Sequence, residues 1–291
     1  MTAFTLSDGR SLDLRLSGDV GAPALVYHHG TPSSGLLSQD VERAALARGL
    51  RVVSWSRPGY SDSTRQPGRT IASVVHDAVE VLDALGIETA VTTGWSGGGP
   101  HTIACGALRP DRFTAVAVIA GVAPYAESQG TLAWLDGMGQ ENLDEFGATL
   151  LGESPLRTLL EVGLPTYQAI QADDIVTSMS TLLPPVDRAY CTDEFGDYLA
   201  ASFREAVSVG VDGWLDDDLA FLEPFDFDLA AISVPVLVWH GRHDLFVPLA
   251  HGQWLGNAIP GADVRITSDD GHLTLIHQRV PAVHEWLLAG F

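Results

Sequence analysis

The 291-residue sequence predicts an α/β protein with a mostly parallel, doubly wound sheet and one inserted helical segment. Two patterns carry this prediction. Short apolar runs, typical of strands buried on both faces, alternate with stretches in which apolar residues recur every three or four positions. The alternation stops near residue 124 and resumes near residue 232, so the two outer parts are expected to form one core.

The first elements are predicted to be a hairpin, because two apolar runs at 4–6 and 12–16 flank a polar turn that contains glycine. The second run alternates apolar and polar residues, as a half-buried strand does. Further strands are predicted, in chain order, at 24–27, 52–55, 90–93, 113–120, 234–239 and 264–267. Helices are predicted at 41–48, 71–85, 249–255 and 273–288, the second with a continuous apolar face.

The segment 124–231 differs from the rest of the chain in charge. It contains 21 acidic and 3 basic residues, a net charge of −18, whereas the whole chain has a net charge of −21. All 16 basic residues are arginines. Such an excess of carboxylates argues against nucleic acid or an anionic membrane surface as a partner.

The remaining composition indicates a soluble, cytoplasmic protein without a cofactor. Residues 1–8 lack a basic region followed by an apolar one, and no apolar run is long enough to cross a bilayer. The two cysteines, Cys105 and Cys191, predict buried thiols rather than a disulfide framework. Neither zinc-ligand spacing nor a glycine-rich phosphate loop is found, so no metal or cofactor is expected.

A glycine-rich turn after the strand predicted at 90–93 carries the strongest chemical signal. Gly94-Trp95-Ser96-Gly97-Gly98 fits the pattern G-x-S-x-G, in which the serine occupies a sharp turn between a strand and a helix. Glycine neighbours accommodate this backbone because they have no Cβ. In such a turn the Ser96 hydroxyl would stand clear of the sheet. Because the pattern also arises by chance, a catalytic role for Ser96 depends on which residues follow the other predicted strands.

Other chemically active residues follow the ends of the predicted strands. Thr31 follows the strand at 24–27, Asp244 the strand at 234–239, and His272 the strand at 264–267. Reactive groups gather at the carboxyl ends of strands in open α/β sheets. The chain order of serine, acid and histidine is the order that the G-x-S-x-G turn predicts.

With these motifs the chain resembles the α/β-hydrolase superfamily, including members with a lid such as esterases, proline iminopeptidases and carbon-carbon bond hydrolases. The resemblance covers nearly the whole chain outside 124–231. It implies an α/β-hydrolase fold, with a core of residues 1–123 and 232–291 and a helical lid of residues 124–231. Its motifs are His29-Gly30-Thr31-Pro32, Arg57-Pro58-Gly59-Tyr60-Ser61-Asp62-Ser63, the turn at Ser96, Gly241-Arg242-His243-Asp244 and Gly271-His272.

The resemblance implies a role for each residue at these strand ends. Ser96 is expected to be the nucleophile, His272 the base that takes its proton, and Asp244 the acid that orients the imidazole. The backbone N–H groups of Thr31 and Gly97 are expected to form the oxyanion hole.

Two of the assignments have alternatives. In one alternative, Asp244 caps the following helix. In another, the neighbouring His243 replaces Asp244 in part of its role. We interpret His101, on the helix after Ser96, as a packing residue, with support of the catalytic residues as the alternative.

The lid is expected to set the choice of substrate. We expect Trp95, Trp134, Met138 and Trp214 to contact a small-molecule substrate in an apolar pocket, although packing within the lid is the alternative for the last three. A serine nucleophile is unlike the aspartate of the family's dehalogenases and epoxide hydrolases. The motifs at 29–32 and 56–59 are closer to esterases than to peptidases, so we predict a serine hydrolase that cleaves a small or medium carboxylic ester.

Two other functions are weighed against this one. A proline iminopeptidase-like aminopeptidase would require a free amine on its substrate, and a ligand receptor would keep the same residues but turn over negligibly. The charge of 124–231 bears on the first alternative. We interpret it as a solvated acidic face, and the alternative is that one or two carboxylates point inward and hold a cationic group.

Overall fold

A computed structural model describes residues 2–191 and 193–291. Met1, in the predicted core, and Thr192, in the predicted lid, lie outside the described residues. Within the described chain eight strands form a single sheet. They are β1 (Thr2–Thr5), β2 (Ser11–Ser17), β3 (Ala24–His28), β4 (Arg51–Trp55), β5 (Ala90–Trp95), β6 (Phe113–Ile119), β7 (Val236–Gly241) and β8 (Asp263–Thr267).

The strands are ordered β1-β2-β4-β3-β5-β6-β7-β8. β2 runs antiparallel to both of its neighbours, and the other strands from β4 to β8 are parallel to one another. The predicted fold class is therefore confirmed, and the opening hairpin is present. Because the inner strands are parallel, β3, β5, β7 and β8 direct the segments that follow them to the same edge of the sheet.

Twelve α-helices are found in the described residues, and none of them combines the length and apolar character needed to cross a membrane. Ser38 starts the first helix by accepting a hydrogen bond from the backbone N–H of Val41 at 3.2 Å. The helices are α1 (Gln39–Leu46), α2 (Ser73–Ala84), α3 (Gly98–Leu108), α4 (Tyr125–Ser128), α5 (Gln140–Leu150), α6 (Glu153–Ala169), α7 (Ala172–Ser178), α8 (Pro185–Arg188), α9 (Asp193–Ala206), α10 (Asp212–Leu222), α11 (Leu249–Ala258) and α12 (His272–Leu288).

The core lies between the inner strands and the helices on both faces of the sheet. Every residue of β3, β4 and β5 is buried, as their short, mainly apolar runs predict. The predicted apolar face of α2 buries Val74, Ala78 and Leu82. β8, at the edge of the sheet, is half exposed along its length.

Residues 124–231, called the inserted segment below, connect β6 to β7 and contain α4 to α10 and a short 3-10 helix at Leu229–Ala231. The backbone N–H of Gly213, in α10, donates to the carbonyl of Gly59 at 3.1 Å. Side chains cannot fit at this contact, because a Cβ on Gly59 would lie 2.8 Å from Gly213. The inserted segment therefore packs directly on the loop that follows β4.

Candidate active site

Ser96 lies in a strained turn between β5 and α3. Its φ is +56°, in the left-handed region that residues other than glycine seldom adopt. Its backbone N–H donates to the carbonyl of Ile119 at 2.9 Å, which ties the turn to β6. A Cβ on Gly94 would lie 2.1 Å from the Gly98 carbonyl, and one on Gly98 would lie 2.2 Å from the His28 carbonyl. The glycines around Ser96 are therefore required by close backbone contacts.

His272 is the first residue of α12, and its ring is hydrogen-bonded to Asp244. Nδ1 of His272 lies 2.7 Å from Oδ2 of Asp244, and both side chains are buried. The other carboxylate oxygen, Oδ1, accepts from the backbone N–H groups of Phe246 at 2.9 Å and Val247 at 2.8 Å. These two bonds fix the carboxylate in the turn after β7 with one oxygen free for the imidazole.

The charge on Asp244 is stabilised by the imidazoles beside it. Burial alone would raise the pKa of this carboxyl, but His272 and His240 lower the pKa of Asp244 well below its usual range. The neighbouring His243 is exposed, so it takes no part in this arrangement. Asp244 is therefore an ionised acceptor aimed at His272.

Aromatic rings hold the imidazole of His272 from two sides. Phe246 stacks on it with ring centroids 4.7 Å apart and an interplanar angle of 22°. The ring of Trp95, which directly precedes Ser96, lies 5.2 Å from it. These contacts restrict the rotation of the imidazole and exclude water from its faces.

Thr31 and Gly97, the residues expected to form the oxyanion hole, lie next to each other. A Cβ on Gly97 would lie 2.4 Å from Oγ1 of Thr31 and 2.9 Å from the ring of Phe221. Among the backbone hydrogen bonds of the described turns and loops, none is donated by the N–H of Thr31 or of Gly97. Both N–H groups are therefore without a backbone acceptor among the described turns and loops.

A buried ion pair holds the loop that contains Thr31. Asp217, from α10 of the inserted segment, accepts from Oγ1 of Thr31 at 2.7 Å and from Nη2 of Arg57 at 2.6 Å. Arg57 also donates to the carbonyls of His29 at 2.5 Å and Gly30 at 2.9 Å. The loop after β3 is thereby fixed through a carboxylate that the inserted segment supplies.

Asp217 has three further partners. Arg69 lies 2.6 Å from it, the hydroxyl of Tyr60 donates to it at 2.8 Å, and Nε2 of His101 lies 3.4 Å away. Burial would raise the pKa of Asp217, but Arg57 and Arg69 hold it well below its usual range. His101 is fully buried, and this burial lowers its pKa to about 4. His101 thus packs as a neutral ring against the ion pair.

A second carboxylate of the inserted segment caps the helix that begins at His272. Oδ2 of Asp187 accepts from the backbone N–H of His272 at 2.7 Å, and Oδ1 accepts from the N–H and the hydroxyl of Thr274, each at 2.8 Å. A Cβ on Gly271 would lie 2.3 Å from this carboxylate. Asp187 was not predicted as a site residue, because it lies 85 positions before the helix that it caps and no local pattern links the two.

A cavity lies between the sheet edge and the inserted segment, with Ser96 and His272 in its wall. Of the side chains expected to contact substrate, Trp95, Met138 and Trp214 line it. The rest of the wall is mainly apolar and includes Val122, Phe146, Met179, Leu182, Leu199 and Phe203. An apolar cavity with a few polar groups is typical of a small-molecule site.

Trp134 is not among the residues that line this cavity. Its indole N–H donates to the carbonyl of Ala123 at 2.7 Å, and its ring packs edge-on against Phe146 at 4.7 Å and His251 at 5.1 Å. The expectation that Trp134 contacts substrate is therefore replaced by a packing role. A large apolar residue in a helical segment does not reveal from sequence which way it faces.

Two acidic residues of the inserted segment, Glu145 and Asp218, also line the cavity. Trp214 donates from its indole N–H to Oε1 of Glu145 at 3.0 Å. The interpretation of the acids of this segment as a solvated face holds neither for the buried Asp218 nor for the partly buried Glu145. The one signal in the sequence is that Asp218 ends the run Asp216-Asp217-Asp218 between apolar residues.

Comparison with known proteins agrees with this architecture. A family model described as the alpha/beta hydrolase fold matches residues 23–277. Among curated proteins, the chain is similar to an uncharacterised hydrolase of Bacillus subtilis (strain 168), with 26% identity over 267 residues that cover 91% of this chain and 89% of the relative. It is also similar to a bifunctional esterase/perhydrolase of Acinetobacter calcoaceticus, with 26% identity over 253 residues, 85% of this chain and 84% of the relative.

Among solved structures, the chain is similar to a thermophilic esterase from Thermogutta terrifontis. The TM-score is 0.68, with 20% sequence identity. The superposition covers 100% of this chain and 99% of that one. At this identity the likeness concerns the fold.

Proposed function

The chain belongs to the α/β-hydrolase family, and on that premise we propose that it is a serine hydrolase that cleaves a small or medium carboxylic ester through an acyl-enzyme intermediate. The observation that carries the proposal is the 2.7 Å hydrogen bond between the ring of His272 and the buried Asp244, beside the cavity that Ser96 lines. Nucleophile, base and orienting acid are the three groups that this chemistry requires.

The hydrogen bond to Asp244 determines which nitrogen of His272 acts as the base. An ionised carboxylate only accepts, so Nδ1 carries the proton and Nε2 keeps its lone pair. Nε2 takes the hydroxyl proton of Ser96 as the oxygen attacks the ester carbonyl. Asp244 then stabilises the imidazolium that forms, without taking its proton.

The negative charge that develops on the carbonyl oxygen is stabilised by the N–H groups of Thr31 and Gly97. Collapse of the tetrahedral intermediate breaks the ester bond, and the proton on His272 leaves with the alcohol. Water then loses a proton to His272 and attacks the acyl group on Ser96, which releases the carboxylic acid and restores the serine.

An ester fits this site better than other substrates of the family. A serine hydroxyl forms an acyl-enzyme with a carboxylic ester, whereas epoxide hydrolases and dehalogenases are expected to use an aspartate at this position. The inserted segment acts as a lid in this proposal, because its apolar side chains cover the cavity and limit the size of the acyl and alcohol parts. The similarity to a protein named as an esterase/perhydrolase supports the same class.

The first test is a comparison of initial rates on a short-chain p-nitrophenyl ester and on an alanyl arylamide, with the wild type and Ser96→Ala. We expect ester turnover to exceed arylamide turnover and to fall by roughly four to six orders of magnitude in Ser96→Ala, since catalytic groups of this kind act as a unit. Ser154→Ala, at an exposed serine of α6, is the matched control and should keep the wild-type rate.

Each alternative function predicts a different result in this assay. Faster cleavage of the arylamide would replace the esterase by an aminopeptidase. Stoichiometric acylation of Ser96 without turnover, seen by mass spectrometry, would indicate a receptor that retains its ligand. Ester turnover that persists in Ser96→Ala would remove the proposed mechanism.

A further inference from the structure

Glu145 and Asp218 lie side by side in the wall of the cavity, on α5 and α10. Asp218 is 1% exposed, and neither of its carboxylate oxygens accepts a hydrogen bond from the described part of the chain. A buried polar group without a partner is costly, and native proteins seldom keep one without a reason. This carboxyl group therefore presents unfilled acceptors to whatever occupies the cavity.

The neighbouring acids show that the missing partner is particular to Asp218. Asp216 is paired with Arg65 at 2.9 Å, and Asp217 with Arg57 at 2.6 Å. Among the salt bridges between described residues, none includes Asp218 or Glu145. Arg69, whose charge also acts on Asp218, is paired with Asp217 at 2.6 Å, so no described arginine forms an ion pair with either of these two carboxyl groups.

The surroundings of this carboxyl pair disfavour the charged form of both groups. Burial and the adjacent Glu145 raise the pKa of Asp218 well above its usual range, and burial also raises the pKa of Glu145. Two adjacent carboxyl groups in such surroundings resist being ionised together. A cation placed between them would supply both the missing charge and the missing hydrogen-bond donors.

We propose that Glu145 and Asp218 bind an ammonium group of the substrate, so that the preferred ester is one of a small amino acid or amino alcohol. This substrate class rests on the proposed ester hydrolysis at Ser96. A protonated amine brings several N–H donors to the open oxygens of Asp218, whereas Glu145 already accepts the indole N–H of Trp214 through Oε1.

Aromatic side chains complete the subsite. The ring of Trp214 lies 4.8 Å from that of Tyr167, and both residues line the cavity with the two carboxyl groups. Aromatic faces attract an ammonium group, most strongly where water is excluded. The same wall therefore combines anionic and aromatic contacts, the two environments that a cation inside a protein requires.

The subsite lies close to the reacting centre. Phe221 follows Asp218 by three positions on α10, so the two side chains share a helix face about one turn, or about 5.4 Å, apart. Phe221 in turn lies against Gly97, beside Ser96. The ammonium nitrogen is therefore expected only a few bonds from the ester carbonyl.

The test uses pairs of esters that differ by one charged atom. β-Alanine methyl ester is compared with methyl butanoate, and dimethylaminoethyl acetate with isoamyl acetate, at a pH where the amines are protonated. In each pair an ammonium nitrogen replaces a carbon of similar size. We expect kcat/KM of the wild type to be at least about tenfold higher for the better ammonium ester than for its carbon analogue.

Three variants assign this preference to the carboxyl pair. We expect the ratio of the two kcat/KM values to fall by about tenfold or more in Asp218→Asn and in Glu145→Gln, which keep the shape of each side chain. Asp173→Asn, which neutralises an exposed acid of α7, controls for the general negative field and should keep the ratio. A wild-type ratio of one or less in both pairs, or a ratio unchanged in both carboxyl variants, would overturn the inference.

A binding measurement keeps this inference separate from the proposed reaction. Butylammonium chloride is titrated against the wild type, Asp218→Asn and Glu145→Gln, with intrinsic tryptophan fluorescence as the readout. Saturable binding that weakens tenfold or more in both variants supports the ammonium subsite even where no ester is hydrolysed, which would remove the proposed function alone. Equal binding to all three proteins, or no binding to the wild type, refutes the subsite. The role of Ser96 as the nucleophile is tested separately, by ester turnover.

Discussion

The backbone N–H of His272 donates a hydrogen bond to the carboxylate of Asp187 at 2.7 Å, although 85 positions separate the two residues. Asp187 belongs to the inserted segment, and His272 starts the last helix of the core. The first N–H groups of a helix have no partner within the helix. The inserted segment therefore supplies the cap of the helix that positions the candidate base.

The first prediction concerns this cap. Asp187→Ala removes three hydrogen bonds to His272 and Thr274, so we expect the free energy of unfolding to fall by about 2 kcal/mol. Without the cap, the first turn of α12 would be held less firmly and the imidazole of His272 would be positioned less precisely. We therefore also expect kcat to fall by about tenfold to a hundredfold. Urea unfolding and steady-state kinetics measure the two effects, and KM should change much less than kcat.

A matched control separates positioning from stability. Asp174 accepts the backbone N–H of Gln171 at the start of α7, is exposed and does not line the cavity. Asp174→Ala should lose some stability with kcat unchanged. If Asp187→Ala behaves in the same way, its carboxylate serves the fold alone.

The second prediction concerns the acid that orients His272. In Asp244→Asn the remaining oxygen can still accept from Phe246 and Val247, so the turn after β7 should keep its structure. The new amide would donate to Nδ1 and place the imidazole proton on Nε2, which can then no longer accept from Ser96. We expect kcat to fall by about a thousandfold to ten-thousandfold with an unchanged melting temperature. The control is His243→Ala, a change at an exposed residue, for which kcat should stay within about twofold of the wild type. Equal losses of kcat in the two variants would contradict the assignment of Asp244 as the orienting acid.

The third prediction concerns the buried ion pair behind Thr31. Asp217→Ala leaves the guanidinium groups of Arg57 and Arg69 buried without their carboxylate. Removing one partner of a buried pair costs roughly 3–5 kcal/mol, which urea unfolding measures. Asp263→Ala breaks a half-exposed pair with Arg265 and should change stability little. Similar effects of the two substitutions would show that Asp217 is not the anchor of the loop.

The fourth prediction concerns pH. His251 bridges the core and the inserted segment: Nδ1 accepts from the N–H of Ala123 at 3.2 Å, and Nε2 lies 2.8 Å from the carbonyl of Trp134. Burial lowers the pKa of His251 to about 4, below its value in the unfolded chain. The unfolded chain therefore binds the extra proton between about pH 6.5 and pH 4, and stability is lost as the pH falls through this window.

The size of this effect is open to measurement. Between about pH 7.5 and pH 5, His251 should account for roughly 2 kcal/mol of lost stability, so unfolding of His251→Gln should depend less on pH by that amount. The ring of His76 is 64% exposed, and His76→Gln should leave the pH dependence as it is. The buried His101, whose pKa is also lowered to about 4, contributes in the same window, so only the part lost in His251→Gln belongs to His251. A wild-type pH dependence in this variant would contradict the prediction.

The order of strands and helices in the core could be predicted from the sequence, because it depends on periodicity within short windows. The short, mainly apolar runs of β3, β4 and β5 indicate burial on both faces. The parallel sheet then places the residues after β5, β7 and β8 at one edge. For this reason Ser96, Asp244 and His272 could be named as candidates together. The contacts among these three residues could not be predicted in the same way, and the hydrogen bond between His272 and Asp244 is seen only in the tertiary structure.

The roles of the acids in the inserted segment could not be obtained in this way. Asp216, Asp217 and Asp218 are identical and consecutive in the sequence, yet one pairs with Arg65, one with the buried Arg57 and one lines the cavity without a partner. A helix turns each successive side chain by about 100 degrees, so neighbours in sequence meet different surroundings. The partners come from distant parts of the chain, and only tertiary packing brings them within hydrogen-bonding distance.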